Sequence, residues 1–208
     1  CEDSDIDSLW QTDRLISETP NMEPLTLMAA LAGHTTRIKF GMNVVVLPFR
    51  DPLILAKECA TIDYLSDGRL LPAFGVGGKT APEWKATGRK YWHRGRVADE
   101  MLDLIIRLWT EERVNHAGEN FFYSEASIEP KPVQNPLPIW IGGSSRAAIR
   151  RTARVGHGWI GGLQAPDEVE AVITAVRDEA REIGRSIPDD HYGAAFSFRF
   201  GDWEDSSV

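Results

Sequence analysis

Short apolar runs rich in β-branched residues alternate with amphipathic helical runs along most of this chain. Strands are predicted at Ser8–Asp13, Arg37–Leu47, Arg69–Val76, Pro138–Gly143, Gly158–Gly162 and His191–Phe200. Helices are predicted at Glu23–Gly33, Pro52–Leu65, Val97–Thr110, Ser145–Val155 and Pro166–Gly184, the last with Asp167 as its N-cap. Regular alternation of strands and helices is typical of parallel βαβ units. The sequence therefore predicts an α/β fold with a parallel sheet.

The predicted strands are apolar along their whole length rather than at alternate positions. This pattern indicates strands that are covered on both faces of the sheet. Two architectures fit it, a doubly wound open sheet and a (β/α)₈ barrel. No G-x-G-x-x-G sequence follows a strand and opens a helix, so the dinucleotide-binding signature of the open sheet is missing.

One irregular stretch, from about residue 111 to 137, interrupts the alternation. Gly118 separates two short extended segments in it, and prolines gather toward its end. We interpret it as a hairpin followed by an extended connector, inserted into one domain that spans residues 1–208.

The charge balance excludes several classes of partner. The 31 Asp and Glu residues outnumber the 23 Lys and Arg residues, and a net charge of −8 argues against nucleic-acid binding. No apolar run approaches the ~20 residues that cross a bilayer. The two cysteines and five histidines lack the spacing of metal ligands, so Cys59 is interpreted as a small buried hydrophobe. We expect a cytoplasmic protein with no metal site.

The sequence Gly142-Gly143-Ser144-Ser145 joins a strand to a helix. Glycines allow a ligand to approach the backbone, and the free N–H groups of a helix's first turn favour a phosphate. Serine is also a favoured N-cap, so the alternative is that these residues only make a short turn and cap the helix.

Three other strand ends carry candidate residues. Gly75 and Gly77 could lie against a flat ring system or form an ordinary turn. Asp13 and Arg14 are candidate catalytic residues, as a charged pair facing a pocket, or form a structural ion pair at the rim. Arg50 contacts a substrate or caps the following helix.

Several motifs, in order and spacing, resemble the bacterial-luciferase-like monooxygenase superfamily from about Ser8 to Ala165. They are Thr36–Gly41, Pro48–Pro52, Leu55–Lys57, Ala60–Arg69, Phe74–Gly77, Pro130–Gln134 with Pro136, Pro138–Gly143 and Gly156–Trp159. The resemblance implies a (β/α)₈ TIM-like barrel that uses FMN or coenzyme F420 to oxidise or reduce a small organic substrate. It also implies that the first strand and the C-terminal part of the barrel lie outside this chain, and that the protein is a homo-oligomer such as a dimer.

The resemblance also assigns candidate cofactor-binding residues. In the family, a bulge at the end of the third strand, often with a non-prolyl cis peptide, supports the ring; here it corresponds to Asn43-Val44. The phosphate site falls on Gly142, Gly143 and Ser145. The complete predicted set is Asn43, Val44, Gly75, Gly77, Gly142, Gly143, Ser145, Gly161 and Gly162.

This chain departs from the family pattern at the catalytic end. Many F420-using members carry Asp-His where this chain has Asp13-Arg14, so the side chain best suited to proton transfer near neutral pH is replaced. Bacterial luciferase has an arginine where this chain has Gly78. The alternative function is therefore a flavin-binding protein without turnover, similar to reduced relatives of luciferase.

Overall fold

The computed structural model describes residues 2–196 and contains six parallel strand positions. These are β1 (Ser8–Gln11), β2 with β3 (Lys39–Met42, Val45–Val46), β4 with β5 (Leu70–Leu71, Ala73–Gly75), β8 (Trp140–Gly142), β9 (Gly158–Leu163) and β10 (Tyr192–Ala195). A separate antiparallel hairpin consists of β6 (Val114–Ala117) and β7 (Phe122–Ala126). The helices are α1 (Pro24–His34), α2 (Pro52–Ser66), α3 (Glu83–Thr87), α4 (Arg94–Thr110), α5 (Arg146–Val155) and α6 (Pro166–Glu182).

The six strands lie side by side in the order in which they occur in the chain. β1 pairs with β2 and β2 with β4, while β3, β5, β8, β9 and β10 follow one another, all in parallel. A doubly wound sheet reverses its strand order at a switch point, whereas a barrel keeps the sequence order around its wall. The topology therefore confirms the barrel, and residues 2–196 supply six of its eight strand positions.

Two strands that the sequence predicts as continuous are interrupted. The predicted strand Arg37–Leu47 breaks at a cis peptide bond between Asn43 and Val44. The predicted strand Arg69–Val76 breaks at Pro72, because proline has no N–H to donate to a ladder. Its carbonyl still accepts a hydrogen bond from Trp140 N at 2.9 Å. The predicted His191–Phe200 strand is described as far as β10, and its last four residues lie outside the described part.

Apolar side chains pack on both faces of the strand arc. The outer face packs against the helices, where Cys59 is fully buried as predicted. On the inner face, the rings of Trp10 and Trp140 meet edge to face with centroids 5.5 Å apart, beside Ile160 and Ala73. Two-sided burial explains why the strands are apolar throughout.

Side chains cap the N-termini of α1, α2 and α5, whereas the N-cap residues of α3 and α4 make no side-chain hydrogen bond. Ser145 caps α5 by accepting a hydrogen bond from Ala148 N, the capping role that was one of the two interpretations of this turn. The predicted cap Asp167 is wrong: α6 begins after Ala165, whose N–H donates to Glu168 Oε2 at 3.0 Å, so Asp167 lies inside the first turn. None of the helices between residues 2 and 196 is long and apolar enough to cross a membrane.

The irregular stretch is a hairpin and a connector, as predicted. Glu100 on α4 anchors the hairpin, accepting hydrogen bonds from Phe121 N and from His116 Nε2. Asp63 on α2 anchors the connector, accepting from Gln134 N at 3.0 Å and Gln134 Nε2 at 2.7 Å. Asp63 is 0% exposed, so this carboxylate has exchanged water for the two amide donors.

Replacing Asp63 with alanine should destabilise the protein by about 2–4 kcal/mol, because buried amide donors lose a charged acceptor. Urea unfolding followed by circular dichroism measures the change. Asp103→Ala is the matched control, since the Asp103 side chain is 60% exposed. An equal, small effect of both changes would contradict the anchoring role of Asp63.

His157 should make stability depend on pH. Its Nδ1 accepts a hydrogen bond from Ile139 N at 3.2 Å, which requires an unprotonated nitrogen. Burial lowers the pKa of His157 below its usual 6.5, and the positive charge of Arg185 and the neighbouring His191 lower it further. Below pH 6.5 the unfolded chain therefore takes up a proton that the folded chain resists, so stability falls as the pH decreases. The free energy of unfolding in urea should fall more between pH 7.5 and pH 5.5 in wild type than in His157→Gln. Equal decreases would refute this assignment.

Candidate functional site

Three loops meet at the carboxyl ends of neighbouring strands. They are the bulge at Asn43–Val44 before β3, the glycine-rich exit of β5, and the turn from β8 into α5. Because β3, β5 and β8 are adjacent, the loops share one edge of the barrel. In parallel α/β proteins, ligands bind at this edge.

The Val44 side chain lies against glycines on the next two strands. A Cβ atom added at Gly75 would lie 2.5 Å from Val44 Cγ2, and one added at Gly142 would lie 2.7 Å from Val44 Cγ1. Both distances are too short for real contacts, so these positions need glycine. The sequence predicted Asn43, Val44, Gly75 and Gly142 as cofactor-binding residues, and the structure brings the last three into direct contact.

Trp84 contacts the loop that follows β5. Gly77 has φ +73°, a left-handed conformation that favours glycine, and lies against Val46 and Trp84. Trp84 Nε1 donates a hydrogen bond to Gly78 O at 2.7 Å. Trp84 belongs to α3, a five-residue helix that periodicity could not reveal. This short helix fixes the loop that follows β5.

The N-terminus of α5 presents unpaired backbone donors. Gly143 has φ +103°, which turns the chain between β8 and Ser145. Within residues 2–196, the N–H groups of Arg146 and Ala147 have no hydrogen-bond acceptor. The first turn contains no acidic side chain. This geometry suits an anion such as a phosphate.

The predicted pair Gly161–Gly162 lies at the end of β9, beside this terminus. A Cβ at Gly161 would lie 2.7 Å from the Trp159 ring, whereas one at Gly162 would meet nothing within 4 Å. The Gly162 N–H is already engaged, donating to Gln164 Oε1 at 2.8 Å. An anion at α5 would recruit the Gly162 amide only after Gln164 moves.

Asp13 does not pair with Arg14. Its Oδ1 accepts a hydrogen bond from Arg50 Nη2 at 2.9 Å, and its Oδ2 accepts one from Val46 N at 3.0 Å. The Asp13 side chain is 1% exposed. Arg50 also donates to Glu23 at 2.8 Å, and the N-cap of the following helix α2 is Asp51 rather than Arg50. The predicted Asp13–Arg14 pair is therefore wrong, because Arg50 reaches inward from the β3–α2 loop.

Asp13, Arg50 and Glu23 form a buried ion cluster, in which the pKa values of the two carboxyl groups shift in opposite directions. Burial raises the pKa of Asp13 above its usual value, although Val46 N–H and Arg50 oppose the rise. Burial alone would also raise the pKa of Glu23. The hydrogen bonds from the N–H and hydroxyl of Thr26 and the charge of Arg50 outweigh this effect, so the pKa of Glu23 is lowered.

A cavity of 800 Å³ opens beside Asp13. One wall is the loop that carries Arg14 and Ile16, and the opposite wall is residues 77–83. Glu83 is 7% exposed and accepts a hydrogen bond from Ile16 N at 3.2 Å, which joins the two walls. Glu83 was not predicted from the sequence, where its only signal is its place after Pro82. The cavity is large enough for a small organic molecule.

The sequence model of the luciferase-like monooxygenase family matches residues 1–206. The chain belongs to this family.

Of three curated relatives of this chain, one is uncharacterised and the other two have different cofactors in their names. An uncharacterised protein of Mycobacterium tuberculosis is 34% identical over 81% of this chain and 58% of its own length. The F420-dependent glucose-6-phosphate dehydrogenase of Segniliparus rotundus is 33% identical, over 77% of this chain and 49% of its own. The FMNH2-dependent dimethylsulfone monooxygenase of Pseudomonas putida is 28% identical, over 79% and 46%.

A solved relative has the same fold. The monooxygenase RslO1 from Streptomyces bottropensis superimposes with a TM-score of 0.81 and 25% identity, over 89% of this chain and 58% of its own. The chain thus spans about half to three fifths of the length of these relatives.

A double-mutant cycle tests the contact between Val44 and Gly142. Gly142→Ala should destabilise the protein by about 1–3 kcal/mol, because the added methyl overlaps Val44. Val44→Ala should make Gly142→Ala much less costly, which urea unfolding of both single variants and the double variant measures. Gly162→Ala is the control and should be close to neutral. Additive effects of the two changes would contradict the contact.

Proposed function

We propose that this luciferase-like protein is an oxidoreductase that binds FMN or coenzyme F420 at the carboxyl ends of β3, β5 and β8. The bulge at Val44, packed against Gly75 and Gly142, carries the proposal. It forms a ledge at the edge where ligands bind in parallel α/β proteins, and the N-terminus of α5, with its unpaired N–H groups, lies two strands away after β8.

The residues present fit both parts of such a cofactor. A flat ring would rest on the backbone of Asn43 and Val44, with Gly77 leaving room on the side of β5. The phosphate would accept hydrogen bonds from the first-turn N–H groups of α5, next to Gly143 and Ser145. Two independent features, a ledge before β3 and an anion site after β8, lie on the same edge two strands apart and support one bound molecule.

The bound cofactor supplies the hydride or electron transfer. The chain's own residues position it and form the substrate cavity. Asp13, with both oxygens hydrogen-bonded, holds Val46 and Arg50 in place behind the ledge rather than exchanging protons freely. Arg14 is exposed at the cavity wall, where it would contact a polar group of the substrate.

Replacing Ser145 with aspartate tests the phosphate site. Aspartate also caps helices, so the fold should be kept. Its charge should weaken FMN and F420 binding by roughly tenfold or more through repulsion of the phosphate. Binding of riboflavin, which has the same ring as FMN and no phosphate, should change little. Fluorescence titration measures all three ligands.

The absorption of the loaded protein identifies the cofactor, since FMN absorbs at about 450 nm and F420 at about 420 nm. Oxidation of the reduced form by candidate substrates then tests turnover, and binding without turnover would favour the flavin-binding alternative. If wild type bound neither cofactor, the proposed function would be wrong. If Ser145→Asp weakened riboflavin and FMN equally, the phosphate would lie elsewhere.

A further inference from the structure

Positive charge is concentrated in two segments of this acidic chain. Residues 85–96 contain five of the 23 Lys and Arg residues, and no Asp or Glu occurs between Glu83 and Asp99. Helix α5 contains four arginines and no acidic residue. We call residues 85–96 together with α5 the basic track. Across the described range 2–196, six of its nine cations have no carboxylate within salt-bridge distance: Lys85, Arg89, Lys90, Arg94, Arg146 and Arg150.

The two parts of the basic track are neighbours in space. Arg151 on α5 forms an ion pair with Asp99 at 2.8 Å and donates to Gly95 O at 3.3 Å, both on α4. Helix α4 follows β5 and α5 follows β8, and these strands are paired. Both helices therefore begin at the edge of the barrel that holds the proposed phosphate site.

The placement of these charges opposes the helix dipoles. Acidic side chains stabilise the positive end of a helix, as Asp167 and Glu168 do in α6. The first turn of α4 instead contains Arg94 and Arg96, and α5 begins with Arg146. A polyanion bound across both helices would neutralise this excess of positive charge.

The track contains a cavity of 390 Å³. Arg89, Lys90 and His93 line its wall, and Trp84 and Phe121 are among its apolar residues. Glu119 also lines it, but its carboxylate is paired with Arg96 at 3.2 Å. Since Trp84 also binds the loop after β5, the cavity adjoins the proposed cofactor site.

We infer that the basic track binds a chain of carboxylates that continues from the cofactor's phosphate. This inference rests on the proposed function and selects between its two cofactors. Coenzyme F420 carries a tail of γ-linked glutamates beyond its phosphate, whereas FMN ends at the phosphate. Only F420 can place carboxylates against Arg89 and Lys90, so the track favours F420.

The test compares F420 carrying its glutamate tail with the same deazaflavin phosphate lacking glutamates, by fluorescence anisotropy at low salt. Wild type should bind the tailed form about tenfold more tightly, and 0.5 M salt should remove most of the difference. In the Arg89→Gln/Lys90→Gln variant, the difference should shrink to about twofold or less, while the tail-less form binds as in wild type. An unchanged difference in the variant, or none in wild type, would overturn the inference.

The control variant, Lys39→Gln/Arg181→Gln, removes the same charge at β2 and α6, outside the track. It should keep the full difference between the two ligands. Free oligo-γ-glutamate separates this inference from the proposed function, because it lacks the ring. Suppose that neither deazaflavin binds. If wild type then binds oligo-γ-glutamate and the Arg89→Gln/Lys90→Gln variant does not, the role of the track is still supported. Failure of all these probes would refute the track, and failure of FMN binding as well would refute the proposed function.

Discussion

The contact of Val44 with Gly75 and Gly142 organises the edge of this barrel where the strands have their carboxyl ends. The side chain extends from the interruption between β2 and β3 across β5 to β8, so it spans three neighbouring strands. A methyl group on either glycine would overlap it. The same bulge exposes backbone at the edge where a cofactor ring would rest, so one packing arrangement both closes the wall and shapes the proposed site.

A buried ion cluster supports this arrangement from behind. Arg50 joins Asp13 at the end of β1 to Glu23, which caps α1 through Thr26 N. Asp13 also accepts the Val46 N–H, which fixes the backbone two residues after Val44. Burying charges is costly unless each is paired and hydrogen-bonded, and removing one partner leaves another uncompensated. The cluster therefore constrains three loops at once, which a substrate-facing Asp13 could not do.

The sequence predicted repeating patterns well and irregular details poorly. Apolar periodicity located the strands and five helices, and the glycine-serine turn located the N-terminus of α5. Periodicity carries no information on partners distant in sequence, so the pairing of Asp13 with Arg50, 37 residues later, was missed. The break at Asn43–Val44 was indicated by the family resemblance and not by periodicity, and the break at Pro72 follows from the proline itself. The short helix α3 depends on tertiary packing rather than on local preference. At Gly75 and Gly142, glycine is also needed because a larger residue would overlap the Val44 side chain, a constraint that only the three-dimensional structure shows.

The charge distribution shows why net charge is an incomplete guide to ligands. A net charge of −8 argues against binding to a long nucleic acid, yet nine of the 23 Lys and Arg residues lie in residues 85–96 and α5, where no acidic residue occurs. Attraction between exposed charges decays over about 10 Å at moderate salt, so a bound molecule responds mainly to the charges within that distance. The charges that the basic track carries are positive, and the N-termini of α4 and α5 add to them. An acidic protein can thus attract a small polyanion at one place while its remaining surface repels larger ones.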